Sequence, residues 1–389
     1  MPNLAVIEIH DLDSQGRGVG RGNGGKVVFV DGALPGDTVE VELTVEKKSF
    51  DLGVLKKIVT PSPSRRKSPC PHSAWDLERS CGACPLIELK EEAQIGWKKS
   101  RIQRVGQKFS IPEQKVKFVE STNNFSYRNR SRMFLDNTRL GTRVRGGHEV
   151  IEVPHCQVLN SKCMDIYTSL SLKLKNKDVS SDFKRKESIE FDDEQSLEEV
   201  LSLKKRSFKQ NHSVMNEVLK KSIKNRIEKN IEEKSEEKTE EQSSPIKGVL
   251  ELFCGNGNFS ELFISEGQHF FGFENCKNSI DKFKFRFKKF PLARVKLKDL
   301  FRSKILRSEI PFPVDTLFLD PPRSGFSKLG SLLKEFPEIQ QVIYVSCNLS
   351  TMERDLYQIV DKGFKAQLLE AYDFFPQTPH FETLVWLSR

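Results

Sequence analysis

Three short apolar runs, each broken off by a polar turn, constrain this chain more than anything else in it. Gly248–Phe253 runs into CGNGNF, Val314–Leu319 into DPPRSG, and Gln341–Ser346 into Cys347 and the helix-starting NLST. Apolar runs bounded by turn formers read as strands buried inside a sheet. Repeated strand, polar loop and helix units predict a doubly wound α/β sheet. In such sheets, ligands bind beyond the carboxyl ends of the strands. The turn at 254–259, the loop from Asp320 to Gly325, and Cys347 therefore mark the expected crevice. A thiol at that strand end is a candidate nucleophile; two residues earlier it would be core. A buried Cys acting as a small hydrophobe is the plain alternative. Ser350 or Thr351 is expected to cap the following helix, with Glu353 and Asp355 in its first turn.

The first of these turns has the ingredients of a nucleotide-type cofactor site. Phe253, Gly255 and Gly257 surround a sharp bend that opens a helix, and glycine lets backbone approach a ligand closely. Glu274 ends the next strand (270–273) and is placed for ribose hydroxyls. Asp299, after the 295–297 strand, is a candidate partner for an adenine amine. The three-glycine order preferred for dinucleotides is missing, which favours S-adenosylmethionine over NAD.

The N-terminal residues 1–60 read differently. Runs at 4–9 and 26–30, a Gly-rich turn between them, and alternation at 39–43 suggest a small β-barrel of oligonucleotide-binding type. A basic Pro/Ser linker (61–68) leads to Cys70, Cys81 and Cys84, with Cys156 much later. A CxxC pair with further thiols suits zinc or an iron–sulfur cluster, and the spacing does not choose between them. Residues 85–108 read as a helix made basic by Lys98, Lys99, Arg101, Arg104 and Lys108. Arg128, Arg130 and Arg132 alternate as on a strand, which puts guanidinium groups on one face for phosphates. Residues 172–247 are rich in Lys, Glu and Ser. Within them 223–244 is of low complexity, expected as a surface helix continuing from 215–219 and then a disordered linker.

A net charge of +9 favours a polyanionic partner, nucleic acid first. No apolar run is long enough to cross a membrane and no signal-peptide pattern is present, so a cytoplasmic protein is expected. Eight cysteines in that setting argue for metal binding or catalysis before disulfides.

Several of these motifs together resemble a known family. GRGVG…KVVFVDGALPGDTVEVEL resembles the TRAM domain, an RNA-binding barrel. CPHSAWDLERSCGACPLIELKEEAQIGWKKSRI with GTRVRGGHEVIEVPHCQVL, and then LELFCGNGNF, FLDPPRSG, YVSCN and HFETLVWLSR, resemble the RNA uracil-5 methyltransferases over nearly the whole chain. The resemblance is to the iron–sulfur class of the 23S rRNA type. It implies a Rossmann-like methyltransferase domain at 206–389, carrying a charged insert at about 223–246, a trimmed α+β central domain at 69–205, and the barrel at 1–60. It implies S-adenosylmethionine as cofactor and a [4Fe–4S] cluster on Cys70, Cys81, Cys84 and Cys156. Ten residues separate Cys70 from Cys81, a longer loop than the family pattern, and Cys163 is the alternative fourth ligand.

The same resemblance assigns roles. Cys347 is the expected nucleophile at uracil C6 and Glu382 the base for the C5 proton, a division of one hard step into two. Asp320 orients the uracil edge and Arg323 assists the thiol or its loop. Phe208 and Gln210 match the family's FxQ…N element with Asn216, Phe208 beside a flipped base and Gln210 at the cofactor. Gln210, Phe253, Gly255, Gly257, Glu274, Asp299 and Asp320 form the implied cofactor set. RNA, ribosomal before transfer, is the expected partner, with no membrane and a monomeric protein. Cytosine-5 methylation and a non-catalytic RNA-binding iron–sulfur protein are the competing readings. The first lacks its Pro-Cys motif here, and intact Cys347, Glu382 and Asp320 oppose the second.

Overall fold

The computed structural model describes residues 3–203, 209–235 and 246–389. They fall into two compact units. One comprises Met1–Lys99, Thr122–Lys204 and Phe375–His380; the other comprises Ser100–Ser121, Lys205–Phe374 and Phe381–Arg389. The expected 205/206 boundary lies outside the described residues.

In the first unit, β1 (Leu4–Leu12), β2 (Gly18–Arg21), β3 (Val27–Asp31), β4 (Thr38–Glu46) and β5 (Phe50–Thr60) close into a barrel of order β1-β2-β3-β5-β4. Ile7, Ile9, Val28, Val30, Val39 and Val41 alternate inward to fill it. At Gly20 a Cβ would stand 2.3 Å from the Ile7 side chain, so only glycine lets β1 and β2 close there.

Helix α1 (Glu91–Lys108) and strand β6 (Val116–Val119) follow. The helix starts later than its sequence suggests. Leu86 N–H donates to the Gln377 carbonyl and Lys90 N–H to that of Ser64, so residues before 91 use their donors on distant partners. Lys98 does not belong to a basic outer side. It is fully buried, and its Nζ donates to the Phe375 carbonyl at 3.2 Å.

A four-stranded sheet, β10-β7-β8-β9, completes the first unit. Its strands are β7 (Arg130–Asp136), β8 (Arg139–Arg143), β9 (Val150–Ile151) and β10 (Ser188–Asp192), covered by α2 (Ser161–Lys175), α3 (Ser181–Lys184) and α4 (Leu197–Leu201). Cys163 is buried in that core with Ile166, Tyr167 and Leu170.

After Ser100–Ser121, the second unit continues with α5 (Ser213–Ser235). Residues 223–235 thus continue the helix, and the rest of the low-complexity segment, 236–245, lies outside the described residues. The sheet strands are β11 (Gly248–Leu252), β12 (His269–Glu274), β13 (Ala293–Leu297), β14 (Thr316–Leu319), β15 (Gln341–Ser346), β16 (Lys365–Tyr372) and β17 (Glu382–Ser388). The helices are α6 (Lys277–Arg286), α7 (Leu329–Glu335) and α8 (Leu349–Val360). Strand order is β13-β12-β11-β14-β15-β17-β16-β6, with β17 antiparallel to both neighbours. The three apolar runs of the sequence are thus β11, β14 and β15, central and buried. The expected helix after the glycine turn shrinks to one 3-10 turn, Ser260–Leu262. Phe253, Gly255 and Gly257 all have positive φ, which delays helical geometry, and Gly267 at φ +77° turns the chain into β12.

Candidate active site

Register brings the two expected catalytic groups together. β15 and β17 pair antiparallel, with Ser346 opposite Thr383. Cys347 follows Ser346 and Glu382 precedes Thr383, so residues far apart in sequence come to the same sheet end, and the Glu382 charge acts on the Cys347 thiol. Glu382 is only 4 % exposed, and its Oε2 is buried without a hydrogen-bond partner among the described residues. Burial pushes its carboxyl well above the usual range, the Asp320 charge adds to this, and the Arg323 guanidinium opposes it. The half-buried Cys347 thiol is pushed up to about 12 by burial, then by Glu382 and Asp320, with Arg323 again opposing. These four groups share one electrostatic neighbourhood. Asp320 ends β14; its carboxyl lies deep, and burial raises it to about 7. Gln210 Nε2 donates to Asp320 Oδ2 at 3.2 Å, which holds that carboxylate from one side.

The first turn of α8 clamps the loop that carries Asp320 and Arg323. Asn348 Nδ2 and Thr351 Oγ1 both donate to the Arg323 carbonyl at 3.1 Å, and Arg354 donates to that of Ser324 at 2.8 Å. Asp355 is fully buried and accepts from Phe326 N–H and the Tyr344 hydroxyl, at 2.5 and 2.7 Å. Two expectations change here. Asn348, not Ser350 or Thr351, caps α8, its side chain accepting from both of their amides. Glu353 and Asp355 both lie beyond the first turn; Asp355 anchors the loop instead, because the loop's amide and the Tyr344 hydroxyl need a buried acceptor.

The glycine turn lies beyond β11 in the same unit. Phe253 holds φ +61°, strained for an aromatic residue, and packs against Phe301 and Phe326 with centroids 5.6 and 5.7 Å away. A Cβ added at Gly255 meets nothing within 4 Å, whereas at Gly257 it would stand 2.4 Å from the Phe287 ring. Glu274 accepts from Gly255, Asn275 and Cys276 amides, all at 2.9 Å, which ties the turn to β12 and leaves carboxylate lone pairs for a ligand. Asp299 Oδ1 accepts from Phe301 and Arg302 amides at 3.0 and 3.1 Å. Asn216 and Asn258 exchange amide hydrogen bonds at 2.9 and 3.0 Å, joining α5 to the turn. Open backbone at Gly255, the aromatic slot and the two carboxylates fit an adenosine-bearing cofactor. Phe208 lies outside the described residues.

Glu251, inside β11, was not singled out by sequence, since it reads as part of an apolar run. It is 1 % exposed and accepts from Ser260 Oγ at 2.6 Å. Burial raises its carboxyl from 4.5 to about 8, with Asp320 and Glu274 adding to the shift. The unfolded chain loses this proton near 4.5 while the folded protein keeps it to about 8. The folded state therefore binds more protons across that window, and stability falls as pH rises through it. Glu251→Gln is expected to flatten that decline. Denaturant unfolding at acid, neutral and alkaline pH checks it; an unchanged pH slope would refute the assignment.

In the first unit, Cys70, Cys81 and Cys84 are buried and Cys156 partly so. Burial raises the thiols of Cys70, Cys84 and Cys156; the charge of Cys81 adds to each, and Arg128 lowers the last two. The four sulfurs are thus electrostatic neighbours, while Cys163 sits in the α2 core. Cys81 Sγ also lies 3.0 Å from Thr142 Oγ1. Among the described residues no group of three or more side chains is spaced for a single metal ion. Arg130 and Arg132 do share the outer face of β7, but both lie by Glu190, at 2.7 and 3.9 Å. Arg128 instead adjoins the sulfurs.

Over residues 155–389 the chain matches the family described as tRNA (uracil-5-)-methyltransferase, and over 6–53 the TRAM domain. It is 28% identical over 392 residues to an uncharacterized RNA methyltransferase of Nitrosomonas europaea, covering 96% of this chain and 94% of the relative. It is 28% identical over 452 residues to a 23S rRNA (uracil(1939)-C(5))-methyltransferase, RlmD, of Marinomonas sp., covering 99% and 95%. The crystal structure of Pyrococcus abyssi tRNA (uracil-54, C5)-methyltransferase with S-adenosyl-L-homocysteine has the same fold, with a TM-score of 0.69 at 19% identity over 98% of this chain and 99% of that one. Among the described residues no helix is long and apolar enough to cross a membrane.

Proposed function

Because the chain belongs to the tRNA (uracil-5-)-methyltransferase family, we propose that it uses S-adenosylmethionine to methylate C5 of a uridine in large-subunit ribosomal RNA. The nearness of Cys347 and Glu382 at the shared end of β15 and β17, where the carboxylate charge acts on the thiol, carries this reading. Cys347, as thiolate, adds to C6 of a uracil taken out of its stack, and the ring becomes enolate-like with its nucleophilic carbon at C5. S-adenosylmethionine, when bound at the glycine turn, supplies the methyl group that C5 takes. Glu382 then removes the C5 proton, the C5–C6 double bond re-forms, and the Cys347 sulfur leaves. Its raised affinity for protons suits a base at carbon. Asp320 is held on one oxygen by Gln210, and its other oxygen, which has no hydrogen-bond partner among the described residues, would accept from the N3–H that uracil has and cytosine lacks.

The ribosomal target follows the relatives' names and the TRAM barrel. Mapping 5-methyluridine in RNA from cells with and without the gene tests it. One uridine in 23S rRNA is expected to lose its methyl group; loss from transfer RNA alone would overturn the choice of RNA, and no change would overturn the activity.

Cys70, Cys81, Cys84 and Cys156 offer four neighbouring sulfurs without single-ion spacing, which suits a wider multi-iron cluster. Such a cluster would tie the linker after the barrel to the β7–β9 sheet. Anaerobically purified protein is expected to be coloured and to contain iron, both lost in Cys84→Ala. A colourless, iron-free preparation that is folded and active would remove the cluster.

A further inference from the structure

One segment is far more basic than the chain as a whole. Residues 277–298 contain nine Lys or Arg and one Asp, a balance of +8 against +9 for the whole protein. Helix α6 buries Ile280 and Phe283 and leaves its other side in solvent. The chain then returns through β13, an edge strand of the sheet. Lys277, Lys284, Lys288, Lys289 and Arg294 are all exposed, and none has a carboxylate partner among the described residues. The arginines of the β7–β8 face differ, since Arg130, Arg132, Arg139 and Arg143 each lie within reach of Asp or Glu. Amid the unpaired cations stands Phe285, 74 % exposed, with Lys288 Nζ 4.9 Å from its ring centre.

A phosphate chain carries condensed cations that lysines and arginines release on binding, a gain that side chains already neutralised by a carboxylate cannot offer in full. An exposed aromatic ring among them is the platform on which an unpaired base stacks. A membrane surface fits less well, because one aromatic ring on a helix whose apolar side is already buried gives little to insert.

We propose that the outer side of α6 and the β13 edge form a second RNA-binding surface, which takes the phosphates of an unpaired stretch of the substrate and stacks one of its bases on Phe285. The proposal rests on the RNA substrate inferred above and adds a contact outside the reacting pocket.

The test compares the full-length protein with K284Q/K288Q/K289Q/R294Q and with Phe285→Ala. Binding of a protein-free 23S rRNA transcript and of an unstructured oligoribonucleotide is measured by anisotropy across a salt series. The fourfold variant is expected to bind at least about tenfold more weakly, with a salt slope shallower by about 3. Phe285→Ala is expected to lose about tenfold with its slope unchanged. S-adenosylmethionine affinity and melting temperature stay as in the parent. Unchanged RNA affinity and slope would overturn the proposal. So would a fourfold variant that binds RNA normally but aggregates, which would make the lysines guards of the β13 edge, or one that loses only phosphatidylserine vesicles. The readout needs no methylation: a parent protein that forms no 5-methyluridine sinks the activity, not this surface.

Discussion

Cys347→Ala is expected to reduce 5-methyluridine formation by on the order of 10⁴-fold or more while leaving cofactor and RNA binding intact. The size follows from chemistry: without sulfur at C6, C5 of uracil has almost no nucleophilicity. The substitution should cost little stability, since the side chain sits at a strand end and is half-buried. The direction of pH dependence follows from the same pocket. Burial holds the thiol up at about 12 and raises Glu382 as well, so both must lose protons for the cycle to run. The single-turnover rate should therefore climb with pH across neutrality. Liquid chromatography of nucleosides after incubation with RNA measures both effects. A variant that still methylates at the parental rate would remove the covalent mechanism.

Glu382→Gln is expected to stop the reaction at a different stage. The amide keeps the side chain's shape but cannot take a proton, so addition and methyl capture proceed while release of Cys347 does not. Turnover should fall about 10²- to 10⁴-fold, and RNA-linked protein should accumulate as a slowly migrating species on a denaturing gel. The species must vanish in the C347A/E382Q double variant. If Glu382→Gln turned over normally, the base would lie elsewhere, and Asp320 would be next to test, its charge already reaching Glu382.

Much of this pocket was legible in the sequence because its parts sit at breaks in local pattern. A run of apolar residues followed by Cys347, Asp320 or the 254–259 turn announces both the strand and the loop. Long-range pairing was not legible. Nothing local says that Glu382 comes to the same sheet end as Cys347; only the antiparallel β15–β17 pairing does, and the family resemblance stood in for it. Glu251 was missed because one carboxylate in an apolar strand looks like noise until Ser260 and burial are seen. Lys98 was misjudged for the opposite reason: in a helix of three lysines and two arginines, the one turned inward has no distinguishing neighbour in sequence. The α8 cap went to Asn348 because hydroxyl and amide caps compete at adjacent positions, and only backbone angles decide between them. The α6 charge was present in the composition, yet its meaning depended on which cations lacked partners.

The position of β17 has a consequence for how the molecule comes together. It follows both β15 and β16 along the chain, yet lies between them in the sheet. Neither neighbour can complete its ladder until this strand arrives, and its arrival is also what delivers a carboxylate to the sulfur. A refolding molecule with β15 already formed holds the thiol alone. Recovery of methylation after dilution from denaturant thus reports closure of the central sheet, so the enzyme's own chemistry serves as a clock for its slow, non-local assembly.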